Sequence, residues 1–159
     1  MSKEHTYHAT ISWRAGEGKG TVDYKSYDRD HVLTVEGKPD LLLSSDPAFR
    51  GDRSRYNPED LLVASLSSCH MLWFLHLCSV NGIVVKAYTD NPVGVMIEAA
   101  DGAGKFKDVI LRPNVTLAGF ASTEKLEELQ EKANKMCFIA NSVNFPVHHQ
   151  AEYQFPETV

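Results

Sequence analysis

NPEDLLVASLSSCHMLWFLHLCSVNG, residues 57–82, opens and closes with helix-ending chemistry and is apolar between. Asn57 offers a side-chain oxygen to a free backbone N–H, Pro58 carries the fixed φ of a first helical residue, and Glu59 and Asp60 complement the positive end of the helix dipole. Asn81 and Gly82 supply the left-handed residue that commonly ends a helix. From Leu61 to Val80 the apolar residues fall on every face, so the pattern predicts a helix buried all round. About 24 residues at 1.5 Å each make a helix of about 36 Å, longer than a small domain is wide. Part of its surface is therefore expected to be covered by a second copy of the chain, in a homodimer.

Length and hydropathy also suit a membrane span, but Ser65, Ser67, Ser68, His70 and His76 stand in the middle of the helix and Glu59 and Asp60 in its first turn, a polarity that argues against one. Read alone, it is a core helix in which Cys69 is one small apolar residue among others. The run Ser67-Ser68-Cys69-His70 breaks that reading, because it puts small polar residues where a packing helix carries Leu or Ile.

The 159 residues fit one domain, 1–159, with a core of its own. A net charge of −5 without a Lys/Arg block disfavours nucleic acid and anionic membrane surfaces as partners. The N-terminal MSKEHTYHATISW is charged where an export signal is apolar, so a cytoplasmic location is expected. Three cysteines, Cys69, Cys78 and Cys137, make an odd and small set that argues against a secreted disulfide framework. Any disulfide here is expected to be transient.

Before the helix, Thr6–Trp13 and Thr21–Tyr27 flank a Gly16, Gly18, Gly20 turn and read as a hairpin; His31–Val35 and Leu41–Leu43 add short strands. SSDPAFRGDRSRY, residues 44–56, is an irregular loop carrying Arg50, Arg53 and Arg55 just before the helix. After the helix, Val84–Thr89, Val93–Ala100 and Phe106–Leu117 read as a meander of about three strands, with a turn at Asp90-Asn91-Pro92. Ser122 or Thr123 caps a second, amphipathic helix whose apolar stripe is Leu126, Leu129, Ala133 and Met136. Cys137 ends it, Phe138–Val143 adds a helical turn, and Val147–Phe155 closes the sheet. Strands, helix, strands, helix and strand define an α+β domain with helices on one side of largely antiparallel sheet.

Cys69 and Cys137 are the pair with chemical promise, since a thiolate is favoured by positive neighbours such as the arginine loop. Cys78 is nine positions from Cys69, about 180° round the helix, and reads as core. His70 points about 100° away from Cys69, which suits packing or a hydrogen bond better than base catalysis. His148 and His149 are adjacent in a strand and point to opposite faces, so they cannot share a metal ion, and no cofactor is expected.

The run Asn57-Pro58-Glu59-Asp60-Leu61-Leu62, then Ala64, then Ser68-Cys69-His70-Met71 in a long buried helix, resembles the family of osmotically inducible protein C and organic hydroperoxide resistance protein, OsmC/Ohr. There an Asn-Pro-Glu helix start precedes a peroxidatic cysteine by the ten positions that separate Glu59 from Cys69, and a resolving cysteine follows the second helix, where Cys137 stands. Phe138 departs from the family's frequent proline after that cysteine. The resemblance implies antiparallel sheets around two central helices in an intertwined homodimer. It implies a thiol peroxidase in which Cys69 attacks an organic hydroperoxide, Cys137 forms a disulfide with it, and a dithiol such as a lipoylated protein reduces the bridge. Met71, Trp73, Phe74 and Phe138 are expected to line the site and favour alkyl hydroperoxides.

The family's catalytic arginine matches either a glycine-rich N-terminal loop, here Arg14 and Lys19, or the loop before the helix, here Arg50, Arg53 and Arg55; Arg50 is the first choice and Arg55 the second, held by Glu59. Glu59 lies about 15 Å along the helix from Cys69 and about 80° round it, so it would serve a Cys69 site across a dimer. The alternative function is a redox-sensing or hydrophobic-ligand-binding module of the same fold without efficient turnover.

Overall fold

The computed structural model describes residues 2–18 and 20–157, which leaves Lys19 outside the described residues. The chain divides into two compact units, residues 1–61 and 62–159.

In the first unit, β1 (Thr10–Ser12), β2 (His31–Thr34) and β3 (Leu41–Leu43) form an antiparallel sheet in that order, with Ile11 opposite Leu33 and Val32 opposite Leu42. The expected hairpin between Thr6–Trp13 and Thr21–Tyr27 is therefore replaced by pairing of β1 with β2. Local side chains explain the change. Asp23 Oδ1 accepts from Lys25 N at 2.7 Å, and Ser26 Oγ donates to Gly20 O at 2.7 Å, so residues 20–26 satisfy one another in turns and leave no ladder to build. Before the long helix, Asp46 caps a 3-10 turn, Pro47–Phe49, and Arg50 follows it in the left-handed region at φ 68°.

The long helix, α1 (Pro58–Val80), starts as expected. Asn57 Oδ1 accepts from Asp60 N at 2.8 Å while Asp60 Oδ2 accepts from Asn57 N at 3.1 Å, the reciprocal pairing of a capping box. In the second unit come β4 (Val85–Asp90), β5 (Val93–Glu98), β6 (Gly104–Leu111), β7 (Pro113–Leu117), α2 (Thr123–Met136), β8 (Val147–His149) and β9 (Glu152–Gln154). The expected meander is instead one long hairpin: Val85 faces Leu117, Asp90 faces Pro113, Val93 faces Ile110 and Glu98 faces Gly104, with one-residue register shifts between Val85 and Ala87 and between Val95 and Met96, up to a turn at 99–103.

Asp90-Asn91-Pro92 is thus a break within an arm. Pro92 and Pro113 have no N–H for the ladder, and the N–H of Arg112 is taken by Asp90 Oδ1 at 2.6 Å, so both arms lose their pairing at one level and the ribbon passes into two sheets, β5-β6-β8 and β4-β7-β9. The expected last strand, Val147–Phe155, is two short strands, β8 and β9. Val147 faces Val109 and Glu152 faces Asn114, both in parallel, so β8 and β9 follow β6 and β7 through the same break. Parallel strands need a crossover, and α2 supplies it. The class is α+β with mixed sheets.

Alternation along β6 and β7 buries Val109, Leu111, Val115 and Leu117. Leu66 of α1 packs with Val109 and Leu111, together with Val63, Phe106 and Val147. Phe74, Leu77 and Cys78 pack with Val115 and Leu117 and with Leu126, Leu129 and Ala133 of α2. These two clusters occupy one stripe of α1. By length and composition α1 could cross a membrane, yet it is the core helix of this unit. Burial on every side is not met within one chain, because Leu72 is 61% exposed and Val80 65%.

Candidate active site

α1 places Cys69 one residue before the buried His70, and its thiol is half-buried. Two residues earlier, Ser67 Oγ donates to Asp90 Oδ2 at 2.5 Å, tying this turn of the helix to the end of β4. α2 ends at Cys137, which has left the helical region at φ −67° and ψ 114°. The following segment is held by its own hydrogen bonds: Asn141 N donates to Cys137 O at 3.0 Å and Ser142 Oγ to Phe138 O at 2.7 Å, while Asn134 Nδ2 ties the end of α2 to Val147 O at 2.7 Å.

The fold brings the two thiols together. Cys69 and Cys137 are both free and are neighbours in the fold across 68 positions of sequence. Burial pushes the Cys137 thiol up to about 11, the neighbouring Cys69 thiol adds to the rise, and the Ala140 N–H, 3.4 Å from Sγ, works against it. Cys137 is therefore a neutral thiol at physiological pH, closed to solvent, beside a more accessible Cys69.

Aromatic rings flank the pair. Trp73, one turn beyond Cys69, meets Phe138, next to Cys137, edge to face at 5.8 Å, and Trp73 meets His76 at 5.8 Å. Phe138 is 66% exposed, so this wall is open to an apolar ligand. Phe74 is buried in the core cluster and does not join it.

Glu59, Arg50 and Arg55 belong to the first unit. Arg55 Nε is 3.2 Å from Asp30 Oδ2 and 3.9 Å from Asp52 Oδ2. Arg50 stands 5.9 Å from the Tyr24 ring centroid. Among the described residues neither Arg50 nor Glu59 forms an ion pair. Sequence reading passed over Arg29, whose guanidinium lies 3.8 Å from the Tyr27 centroid and 4.7 Å from that of Tyr24.

His70 behaves as its direction on the helix predicts: Nε2 donates to Gln130 Oε1 at 2.6 Å, an oxygen opposite Nε2 requiring the proton on that nitrogen. Burial lowers its pKa, and the Gln130 hydrogen bond opposes this. Gln130 was not among the expected site residues, although a glutamine between Leu126, Leu129 and Ala133 on an apolar stripe was a readable signal. Cys78 is buried, and burial pushes its thiol up to about 11, which makes it a core residue. His149 Nε2 is 3.4 Å from Glu127 Oε2 while His148 is exposed, and among the described residues no group of three His, Cys, Asp or Glu could hold a metal ion.

The family model of the OsmC-like proteins matches residues 51–152. The structure is similar to that of an OsmC-like protein of unknown function from Vibrio cholerae, with 31% identity, a TM-score of 0.86 and coverage of 94% of this chain and 100% of that one. It shares its fold with an organic hydroperoxide resistance protein from Elizabethkingia anophelis, at 18% identity, TM-score 0.70 and coverage of 98% and 100%. The organic hydroperoxide resistance protein OhrB of Bacillus subtilis has the same fold at 20% identity, TM-score 0.63 and coverage of 93% and 98%. No curated protein sequence matches the chain.

Proposed function

The chain belongs to the OsmC-like protein family, and from that membership we propose that it is a thiol-dependent peroxidase reducing organic hydroperoxides to alcohols. The observation that carries the reading is that the free thiols of Cys69 and Cys137 are neighbours. Cys69, the accessible member, attacks the outer peroxide oxygen as thiolate. The O–O bond breaks, the alkoxide takes a proton to leave as alcohol, and Cys69 becomes a sulfenic acid. The Cys137 sulfur then bonds to the Cys69 sulfur, and the departing hydroxide with the Cys137 proton forms water. A dithiol, of which a lipoyl group is one, reduces the bridge by two thiol–disulfide exchanges. Trp73 and Phe138 favour substrates with an apolar body over hydrogen peroxide.

The working unit is a homodimer in this reading. Leu72 on α1, and Val95 and Ile97 on the edge strand β5, are exposed apolar side chains that a second copy would cover. Glu59, which has no arginine partner among the described residues, would then act with Arg50 or Arg55 on the Cys69 site of the partner.

Turnover of cumene hydroperoxide with dihydrolipoamide tests the reaction. Wild type is expected to turn over, Cys69→Ser to be inert, and Cys137→Ser to consume one equivalent of peroxide per chain. A wild type without turnover overturns the reading. The engagement of Arg55 by Asp30 and Asp52 favours a second reading, a redox sensor of the same fold whose Cys69–Cys137 bridge forms stoichiometrically and is not recycled.

A further inference from the structure

The packing of Phe74, Leu77 and Cys78 on Leu126, Leu129 and Ala133 holds α1 and α2 together, but apolar burial is non-directional and by itself distinguishes poorly between ridge-into-groove registers one turn apart. Among the described residues one hydrogen bond joins the two helices, His70 Nε2 to Gln130 Oε1 at 2.6 Å, and both side chains are buried. His70 directly follows Cys69. Gln130 lies seven residues before Cys137, two turns back on the same face of α2, in the buried series Leu126, Gln130, Ala133, Cys137.

We infer that the His70–Gln130 hydrogen bond is a positioning device that fixes the axial register of α2 on α1 and so brings Cys137 to Cys69. A slide by one helical turn moves α2 about 5.4 Å, which takes the 2.6 Å contact out of hydrogen-bond range and strands two buried polar groups. Buried polar pairs of this kind add little stability over an apolar pair, and setting register is their best-attested use. The groups facing His70 suit a donor role. Burial keeps it neutral, His149 stacks on it at 5.9 Å and adds to that effect, and the Gln130 oxygen and the Asp90 carboxylate oppose it. For its consequence in catalysis the inference rests on the peroxidase reading, in which the bond governs formation of the disulfide and leaves the attack on peroxide alone.

The test separates those two steps in rapid-quench single turnovers with cumene hydroperoxide. Gln130→Leu is expected to form the Cys69 sulfenic acid at the wild-type rate and the disulfide about tenfold more slowly, the worth of one hydrogen bond, with the sulfenic acid captured by dimedone. Gln130→Glu keeps an oxygen for His70 Nε2 and is expected to restore fast bridging, whereas a role in packing alone would favour the leucine. His70→Leu breaks the same bond from the other side and is expected to repeat the loss, so the outcome does not hang on the folding of one variant. Unchanged bridging in Gln130→Leu, or an equal slowing of both steps, overturns the inference. Diamide oxidation of the reduced proteins repeats the comparison without hydroperoxide. If wild type ignores hydroperoxide but Gln130→Leu still bridges more slowly with diamide, the peroxidase reading falls and the positioning role stands; equal diamide rates remove the positioning role.

Discussion

Asp90 clamps Ser67: one carboxylate oxygen accepts from the Ser67 hydroxyl at 2.5 Å while the other accepts from the Arg112 N–H at 2.6 Å. One side chain thereby fixes the turn of α1 before Cys69 to the level where both hairpin arms break. Asp90→Ala leaves the part-buried hydroxyl without its acceptor and frees Arg112, so a loss of about 1–3 kcal/mol is expected in urea unfolding. Asp90→Asn, which keeps one acceptor oxygen, is expected to lose less. Equal midpoints for Asp90→Ala and wild type would mean that the clamp does not hold α1.

His70 sets an acid limit on stability. Its folded pKa is lowered, first by burial. Below about pH 6.5 the unfolded chain binds a proton that the folded chain resists, so this contribution is complete above that pH and is lost as pH falls toward the folded value. Thermal midpoints are expected to drop between about pH 6.5 and 5, with a smaller slope in His70→Gln. The slopes of the two proteins decide it, since carboxylates titrate equally in both.

Helix ends were legible in the sequence because a few adjacent residues make them. Asn57 and Asp60 cap each other, and Ser122 Oγ accepts from Lys125 N at 3.2 Å, each within three positions. Strand partners were not, because pairing is decided at long range: β1 skips the turn-satisfied residues 20–26 to reach β2, and β8 finds β6 in parallel only through the crossover of α2. The break at Pro92 and Pro113 was visible as two prolines but not as one level of a single hairpin. In the site, Gln130 is recognisable as the partner of His70 only when α2 is laid against α1.

Gly94 marks the closest approach of β5 to its neighbours. A Cβ there would stand 2.7 Å from Phe106 Cε1 and 2.7 Å from Val63 Cγ2, inside any real contact distance. The ring belongs to the paired strand and the methyl to α1, so neither gives way freely. Gly94→Ala is expected to cost about 1–3 kcal/mol through overpacking, although alanine suits a strand better than glycine. A chemical-denaturation midpoint at or above that of wild type would show that β5 can shift outward without loss.

The three thiols differ in access, and an alkylating reagent reads the difference directly. Cys69 is half-buried, whereas Cys78 and Cys137 are each 1% exposed and burial pushes both thiols up to about 11. Only thiolate reacts with iodoacetamide, and at about pH 8 a thiol with such a pKa is ionised about one part in a thousand. In the folded, reduced protein Cys69 is therefore expected to label first. Cys137 should follow slowly and Cys78 only on unfolding, as read by peptide mass mapping over a time course. Once Cys69 is alkylated its sulfur can no longer bridge, so labelled protein treated with diamide should show no Cys69–Cys137 peptide. Early labelling of Cys137 would reverse the order of access, and the roles of the two cysteines would then have to be exchanged.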